Sequence, residues 1–143
     1  MFEKILIVCV GNICRSPTAE ILFKQKLPHK QIASAGLHAL VGHNIDSKAR
    51  GIVEKHGINV QQHTAQQFSS ELGREYDLIL VMEKRHRDEI ASRFPECLAK
   101  TMLLNHWLGG KDIPDPYKKS DEVFEQIYTM LTKATDSWVA KLQ

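Results

Sequence analysis

The sequence predicts an α/β fold: a single-domain, three-layer sandwich in which a four-stranded parallel sheet is flanked by helices. Three observations lead there. Short β-branched runs alternate with apolar stripes of helical period. The first run is continuously apolar rather than alternating, as a strand covered on both faces requires. Cap and turn residues separate one element from the next.

Lys4 to Val10 is the first strand, and Gly11-Asn12 ends it with a turn signal. Ser16 reads as an N-cap and Pro17 as the first residue of a helix carrying Ala19, Leu22, Phe23 and Leu27, which Pro28 stops. Gln31 to Ala35 is a weak second strand. Asp46 caps a helix with Ala49, Ile52, Val53 and His56, closed by Gly57. Tyr76 to Met82 is the clearest later strand. A charged helix follows from Lys84 to Arg93 and ends before Pro95. Thr101 to Leu104 is a fourth strand. After a loop over 109–119, Ser120 caps a last helix with the stripe Phe124, Ile127, Leu131, Ala134, Trp138 and Leu142. No repeat, linker or low-complexity tract interrupts the series, so residues 1–143 are expected to form one domain. In such a sheet ligands bind beyond the carboxyl ends of the strands.

Composition narrows the function. The 143 residues are 43% hydrophobic and 25% charged, as in ordinary globular domains. No apolar run approaches the roughly 20 residues that span a bilayer, and the N-terminal stretch lacks the build of a signal peptide. A cytoplasmic location without membrane insertion is expected. A net charge of +2 argues against nucleic acid as partner. The seven histidines show no metal-ligand spacing, so neither a metal nor a cofactor is expected. Of three cysteines, Cys9 and Cys14 lie too close in sequence for an obvious staple, and in a reducing compartment chemical roles are favoured.

The segment Cys9-Val10-Gly11-Asn12-Ile13-Cys14-Arg15-Ser16 concentrates the chemistry. It lies between a buried strand and a helix N-terminus. The N–H groups of Val10, Gly11, Asn12, Ile13 and Cys14 can converge as an anion nest, and the helix adds its positive end. Arg15 offers paired N–H donors to two phosphate oxygens. Gly11 allows close approach, and Asn12 tolerates left-handed dihedrals. This positive field favours Cys9 as thiolate, an in-line nucleophile for phosphorus, and Ser16 is placed to donate to its sulfur. No Gly-Lys-Ser/Thr follows, so the loop is not a Walker nucleotide site. A cysteine closing a buried strand is most often a small core residue. Its company argues otherwise here.

Val8 to Pro17 resembles the signature of the low-molecular-weight protein tyrosine phosphatases, and Asp115-Pro116-Tyr117 resembles their second one. Ser34-Ala35-Gly36, His56-Gly57-Ile58, His63 and Asp77 to Met82 extend the likeness over nearly the whole chain. The resemblance implies hydrolysis of protein phosphotyrosine through a phosphocysteine. Cys9 would attack phosphorus, Arg15 and the loop amides would hold the oxygens, and Asp115 would serve as general acid and then base. It also implies that Asn12 and Ser34 brace the loop, that Ser16 supports the sulfur, and that Cys14 is a reversible disulfide partner of Cys9. Independently, a carboxyl held between Pro114 and Pro116 suits a proton donor, which typically contributes 10²–10⁴-fold.

Leu40 and Tyr117 are expected to wall the substrate cleft. Leu40 stands where eukaryotic members tend to carry an aromatic residue, and Val81 to His86 is similar to the bacterial branch. That likeness implies a mainly monomeric enzyme whose partner is a phosphotyrosine protein, such as a membrane tyrosine autokinase linked to exopolysaccharide export. Lys118 and Lys119 follow Tyr117 where some relatives have a second tyrosine; they read as a cationic mouth or a solvated face. Gln66 replaces a frequent arginine and is given no catalytic role. His56 and His63 read as structural histidines, Cys97 as an ordinary thiol, and Arg85-His86-Arg87 as a solvated helix face. Arsenate reduction on the same scaffold is the first alternative, but it needs relay cysteines, and Met82 to Arg93 has none. Non-catalytic phosphotyrosine binding and redox sensing are the others.

Overall fold

A computed structural model describes residues 2–143. Strand β1 (Lys4–Cys9) pairs in parallel with β2 (Gln31–Gly36) on one side and with β3 (Leu78–Val81) on the other, and β4 (Thr101–Leu103) pairs with β3. The order is β2-β1-β3-β4. The central strands are buried on both faces, which is why they read as continuous apolar runs. Ile5, Ile7, Cys9, Leu78 and Leu80 pack in one core with Phe23, Leu131 and Trp138. Leu6, Val8, Ile79 and Val81 pack in the other with Phe68, Ile90 and Cys97. Helices α1 (Arg15–Lys26), α2 (Ser47–Lys55) and α5 (Asp121–Leu142) build the first layer; α3 (Ser70–Arg74) and α4 (Lys84–Arg93) lie on the second. This is the expected three-layer α/β sandwich.

Local chemistry explains most boundaries. Asp46 caps α2 by accepting from Lys48 N at 3.0 Å and Ala49 N at 3.3 Å. Ser120 caps α5 through Val123 N at 3.3 Å. Three expectations need correction. The third strand is shorter than Tyr76 to Met82, because the Asp77 carboxylate instead takes the N–H groups of Glu3 and Lys4, each at 2.9 Å. The first helix starts at Arg15, so Ser16 lies inside it and is not its cap. Helix α3, capped by Ser69 accepting from Leu72 N at 3.1 Å, was not expected. Its one short turn carries too little apolar period to stand out.

The strand order fixes where a site forms. From β1 the chain crosses to β2 on one side, and later returns to β3 on the other. The loops leaving β1 and β3 therefore diverge and open a crevice at their carboxyl ends. Gly36, at the end of β2, borders it: an added Cβ would lie 2.4 Å from the Val10 carbonyl oxygen and 3.1 Å from Ala39. Gly36→Ala should cost about 1–3 kcal/mol by overpacking against backbone, read as a lower urea midpoint with an unchanged slope.

Candidate active site

The loop after β1 is shaped by what its carbonyls bind. Cys9 O accepts from Leu37 N at 2.9 Å, Val10 O from His38 N at 3.0 Å, and Gly11 O from Leu40 N at 3.0 Å. Asn12 O meets His63 Nε2 at 2.7 Å, and Ile13 O accepts from Asp46 N at 2.8 Å. Each bond pulls a carbonyl outward. In a trans peptide the N–H opposes the preceding C=O, and no cis bond occurs among the described residues. The N–H groups of Val10, Gly11, Asn12, Ile13 and Cys14 are therefore turned inward. That is an anion nest, built by bonds on its outer rim.

Asn12, with φ at 60°, makes the turn possible and then locks it. Its Oδ1 accepts from Gln66 N at 3.0 Å, which fixes which end of the amide is which. Its Nδ2 donates to Ser16 Oγ at 2.8 Å and to Ser34 Oγ at 2.9 Å. Ser34 donates onward to Glu20 Oε1 at 2.5 Å. Ser16 Oγ, which accepts from Asn12, also lies 2.9 Å from Cys9 Sγ, within hydrogen-bond reach.

Arg15 is almost fully buried at the base of the same loop. Its Nη1 donates to Glu83 Oε2 at 2.5 Å and to Ile113 O at 2.8 Å. Its Nη2 lies 3.9 Å from Asp115 Oδ2. One edge of the guanidinium is thus anchored, and the other borders the cleft. Burial acts to raise the Glu83 carboxyl, but the bonds from Arg15 and Arg85 outweigh it and hold Glu83 below the usual carboxylate range. The cleft, about 200 Å³, has Cys9, Ile13 and Arg15 at its buried base and Leu40, Asp115 and Tyr117 at its rim.

A sequence model described as low molecular weight phosphotyrosine protein phosphatase matches residues 4–143. The chain belongs to that family. A putative low molecular weight protein-tyrosine-phosphatase of Klebsiella pneumoniae is 49% identical over 143 residues, covering 100% of this chain and 99% of the relative. The structure of the tyrosine phosphatase Wzb from Escherichia coli K30 in complex with sulphate has a TM-score of 0.97 at 48% identity, with 100% of both chains covered. Vibrio vulnificus Wzb in complex with benzylphosphonate has a TM-score of 0.95 at 45% identity, covering 99% of each chain. The enzyme class expected from the sequence, protein-tyrosine-phosphatase, is the class of this family, and the similarity is to its bacterial members.

Within this phosphatase scaffold the sequence-derived residues divide into two groups. Cys9, Val10, Gly11, Ile13, Cys14, Arg15, Leu40, Asp115 and Tyr117 all line the cleft. Asn12, Ser16 and Ser34 stand behind it, joined by the two bonds from Asn12 Nδ2. His63 is a structural histidine on the Asn12 carbonyl. Gln66, given no catalytic role, supports the loop through Asn12 and also donates to Ser34 O at 2.9 Å. The Cys14 thiol is pushed far up by burial, then by Asp46, Cys9 and Asp115, so it stays protonated.

Two residues of the site were missed. Glu83 falls within the Val81 to His86 stretch and lies two residues beyond the end of β3, where the crevice opens. Glu20 lies on α1, and only the fold brings Ser34 to it. The expected solvated face of α4 also needs correction, since His86 is 2% exposed. Its Nδ1 accepts from Glu83 N at 3.2 Å. Burial, and then Arg15, push its imidazole down to about 4 against the opposing pull of Glu83. It therefore stays neutral beside a buried cation.

That shift makes stability depend on pH. Between the ordinary histidine value near ~6.5 and about 4, the unfolded chain holds a proton at His86 that the folded chain refuses. Stability should fall as pH drops through this window, by on the order of 2–3 kcal/mol from this group. His86→Asn, whose Oδ1 can take the Glu83 N–H, should flatten that slope in urea denaturation at stepped pH.

Proposed function

We propose that this chain hydrolyses protein phosphotyrosine by double displacement at Cys9. A phosphate dianion enters the nest, where the inward N–H groups and the free edge of Arg15 take its oxygens. Cys9 Sγ attacks phosphorus in line; the S–P bond forms as the bond to the phenolic oxygen breaks. Asp115, in its acid form, gives that oxygen a proton. The resulting carboxylate then takes a proton from water, which attacks phosphorus, breaks the S–P bond and releases inorganic phosphate. Ser16 stabilises the sulfur both as nucleophile and as leaving group. The single observation that carries this reading is the outward-bonded loop closing around Cys9 with Arg15 at its end.

The cleft walls support an aryl substrate. Ile13, Leu40 and Tyr117 offer apolar surface to a ring, and a related Wzb binds benzylphosphonate. Asp115 accepts from Tyr117 N at 3.0 Å, so the proton donor and one wall of the cleft are held together. Arsenate reduction is not favoured: Cys97 is fully buried in the core on the opposite face of the sheet, out of relay with Cys9. A purely binding module would have no use for a carboxyl over the leaving group. Cys14 lines the same cleft and is the candidate disulfide partner of Cys9 under oxidant. No helix among the described residues is long and apolar enough to cross a membrane. Likeness to the bacterial branch supports action as a cytoplasmic monomer on a tyrosine autokinase linked to exopolysaccharide export.

Cys9→Ser should abolish phosphate release from a phosphotyrosine peptide in the presence of EDTA while retaining phosphate binding by calorimetry; residual turnover above about one part in a thousand would remove Cys9 as nucleophile. Asp115→Asn should lower kcat on phosphotyrosine by about 10²–10³-fold. Its loss on an aryl phosphate with a more acidic phenol should be much smaller. Equal losses on both would take the proton donor elsewhere.

A further inference from the structure

Among the described non-glycine residues, Asn12 and Lys118 have positive φ. Asn12 is compensated by its side-chain bonds. Lys118 is not. It occupies the third position of a turn closed by Lys119 N donating to Pro116 O at 2.8 Å. Of the two central residues only Lys118 has positive φ, at 63°, so the turn is of type II and would accept glycine or asparagine without strain. Lysine there is costly to the backbone. Strain of this kind is kept where the side chain is needed.

The turn is tightly placed. Lys48 Nζ donates to Lys119 O at 2.9 Å, and Asp115 accepts from Tyr117 N at its other end. The Lys118 ammonium lies 5.5 Å from the centroid of the Tyr117 ring, which lines the cleft. Neighbouring carboxylates are engaged elsewhere: Asp115 faces Arg15 Nη2 at 3.9 Å, and Asp121 pairs with Lys48 at 3.3 Å. Among the described residues, the ammonium has no carboxylate partner. A cation is thus held against one wall of the cleft and left unneutralised.

Resting on the phosphatase reading, we infer that Lys118 is a specificity-determining residue that reads an anionic side chain flanking the phosphotyrosine. The ligand is an acidic peptide segment, with the anion either a carboxylate or a second phosphate. Lys118 touches neither the transferred phosphate nor the leaving oxygen, so it sorts peptides without entering the chemical step.

The test measures kcat/KM for wild type, Lys118→Asn and Lys118→Arg on four substrates: p-nitrophenyl phosphate, and one phosphotyrosine peptide with alanine, glutamate or phosphoserine beside the phosphotyrosine. Wild type should prefer an anionic peptide by roughly two- to fivefold, mainly through KM, with the preference fading as sodium chloride is raised. Lys118→Asn, which suits the turn and should melt no lower than wild type, should lose the preference and keep hydrolysis of p-nitrophenyl phosphate. Lys118→Arg should retain both. Preference for phosphoserine alone identifies a second phosphate as the anion, and preference for glutamate as well identifies charge in general; both support the inference. A preference that survives in Lys118→Asn, or is absent from wild type, overturns it, as does a tenfold loss on p-nitrophenyl phosphate in Lys118→Asn. Wild type inert on all four substrates would instead overturn the phosphatase reading itself.

Discussion

The site depends on keeping several N–H dipoles converging on one point. Like partial charges converging in this way repel, and a loop left to itself would turn some of its peptides over to face solvent. Bonds on the outer rim prevent that. The carbonyls of Cys9, Val10 and Gly11 are held by the chain running from Leu37 to Leu40, that of Asn12 by His63 and that of Ile13 by Asp46. Flipping any one peptide would orphan a carbonyl at a net cost of about 1–3 kcal/mol each. The cradle is therefore organised before an anion arrives, and the substrate does not have to supply the energy for ordering it.

Arg15 poses the complementary problem. A buried guanidinium without a partner is expensive, yet a fully paired one has nothing left to offer a phosphate. The structure resolves this by pairing one edge. Glu83 and the Ile113 carbonyl take Nη1, while Nη2 borders the cleft. Arg85 adds a second cation to Glu83, with bonds at 3.0 and 3.3 Å, so that carboxylate presents little net negative charge to an incoming dianion. A protonated His86 would crowd this cluster with further positive charge in a dry place. Its suppressed basicity follows from the same balance.

How much of this was legible in the sequence depended on how far apart the partners lie along the chain. Cys9, Arg15 and the residues between them are contiguous, and their setting between a buried strand and a helix start could be read directly. Asp115 and Tyr117 needed the resemblance, since an Asp-Pro pair is as often a surface turn. Glu83 and Glu20 were invisible as site residues, and the support given by Gln66 was equally hidden, because each acts on a group remote in sequence: Arg15, Ser34 and Asn12 respectively. Ser16 shows the reverse error. Serine before proline is a good cap by local rules, and tertiary structure overrode them by spending its hydroxyl on Cys9. Helix α3 failed for lack of length, and His86 because a basic residue between two arginines gives no sign of burial.

The two halves of the chemistry rest on supports of different stiffness. Cys9 and the loop that follows it stand at the junction of a buried strand and a buried helix start, where the loop carbonyls and the Asn12 side chain are committed to partners. Asp115 stands on an exposed loop, flanked by prolines and tied back mainly through Tyr117 N and the Lys48–Lys119 contact. Bound phosphate is the same small dianion for every substrate, so its cradle gains by being fixed. The peptide beyond the tyrosine ring varies, and the rim that meets it is where Leu40, Tyr117 and the lysines lie exposed. Substitution there alters which chains can approach without disturbing the bonds that hold the nest. A rigid base and an adaptable rim thus let one reaction centre persist while its choice of partner changes.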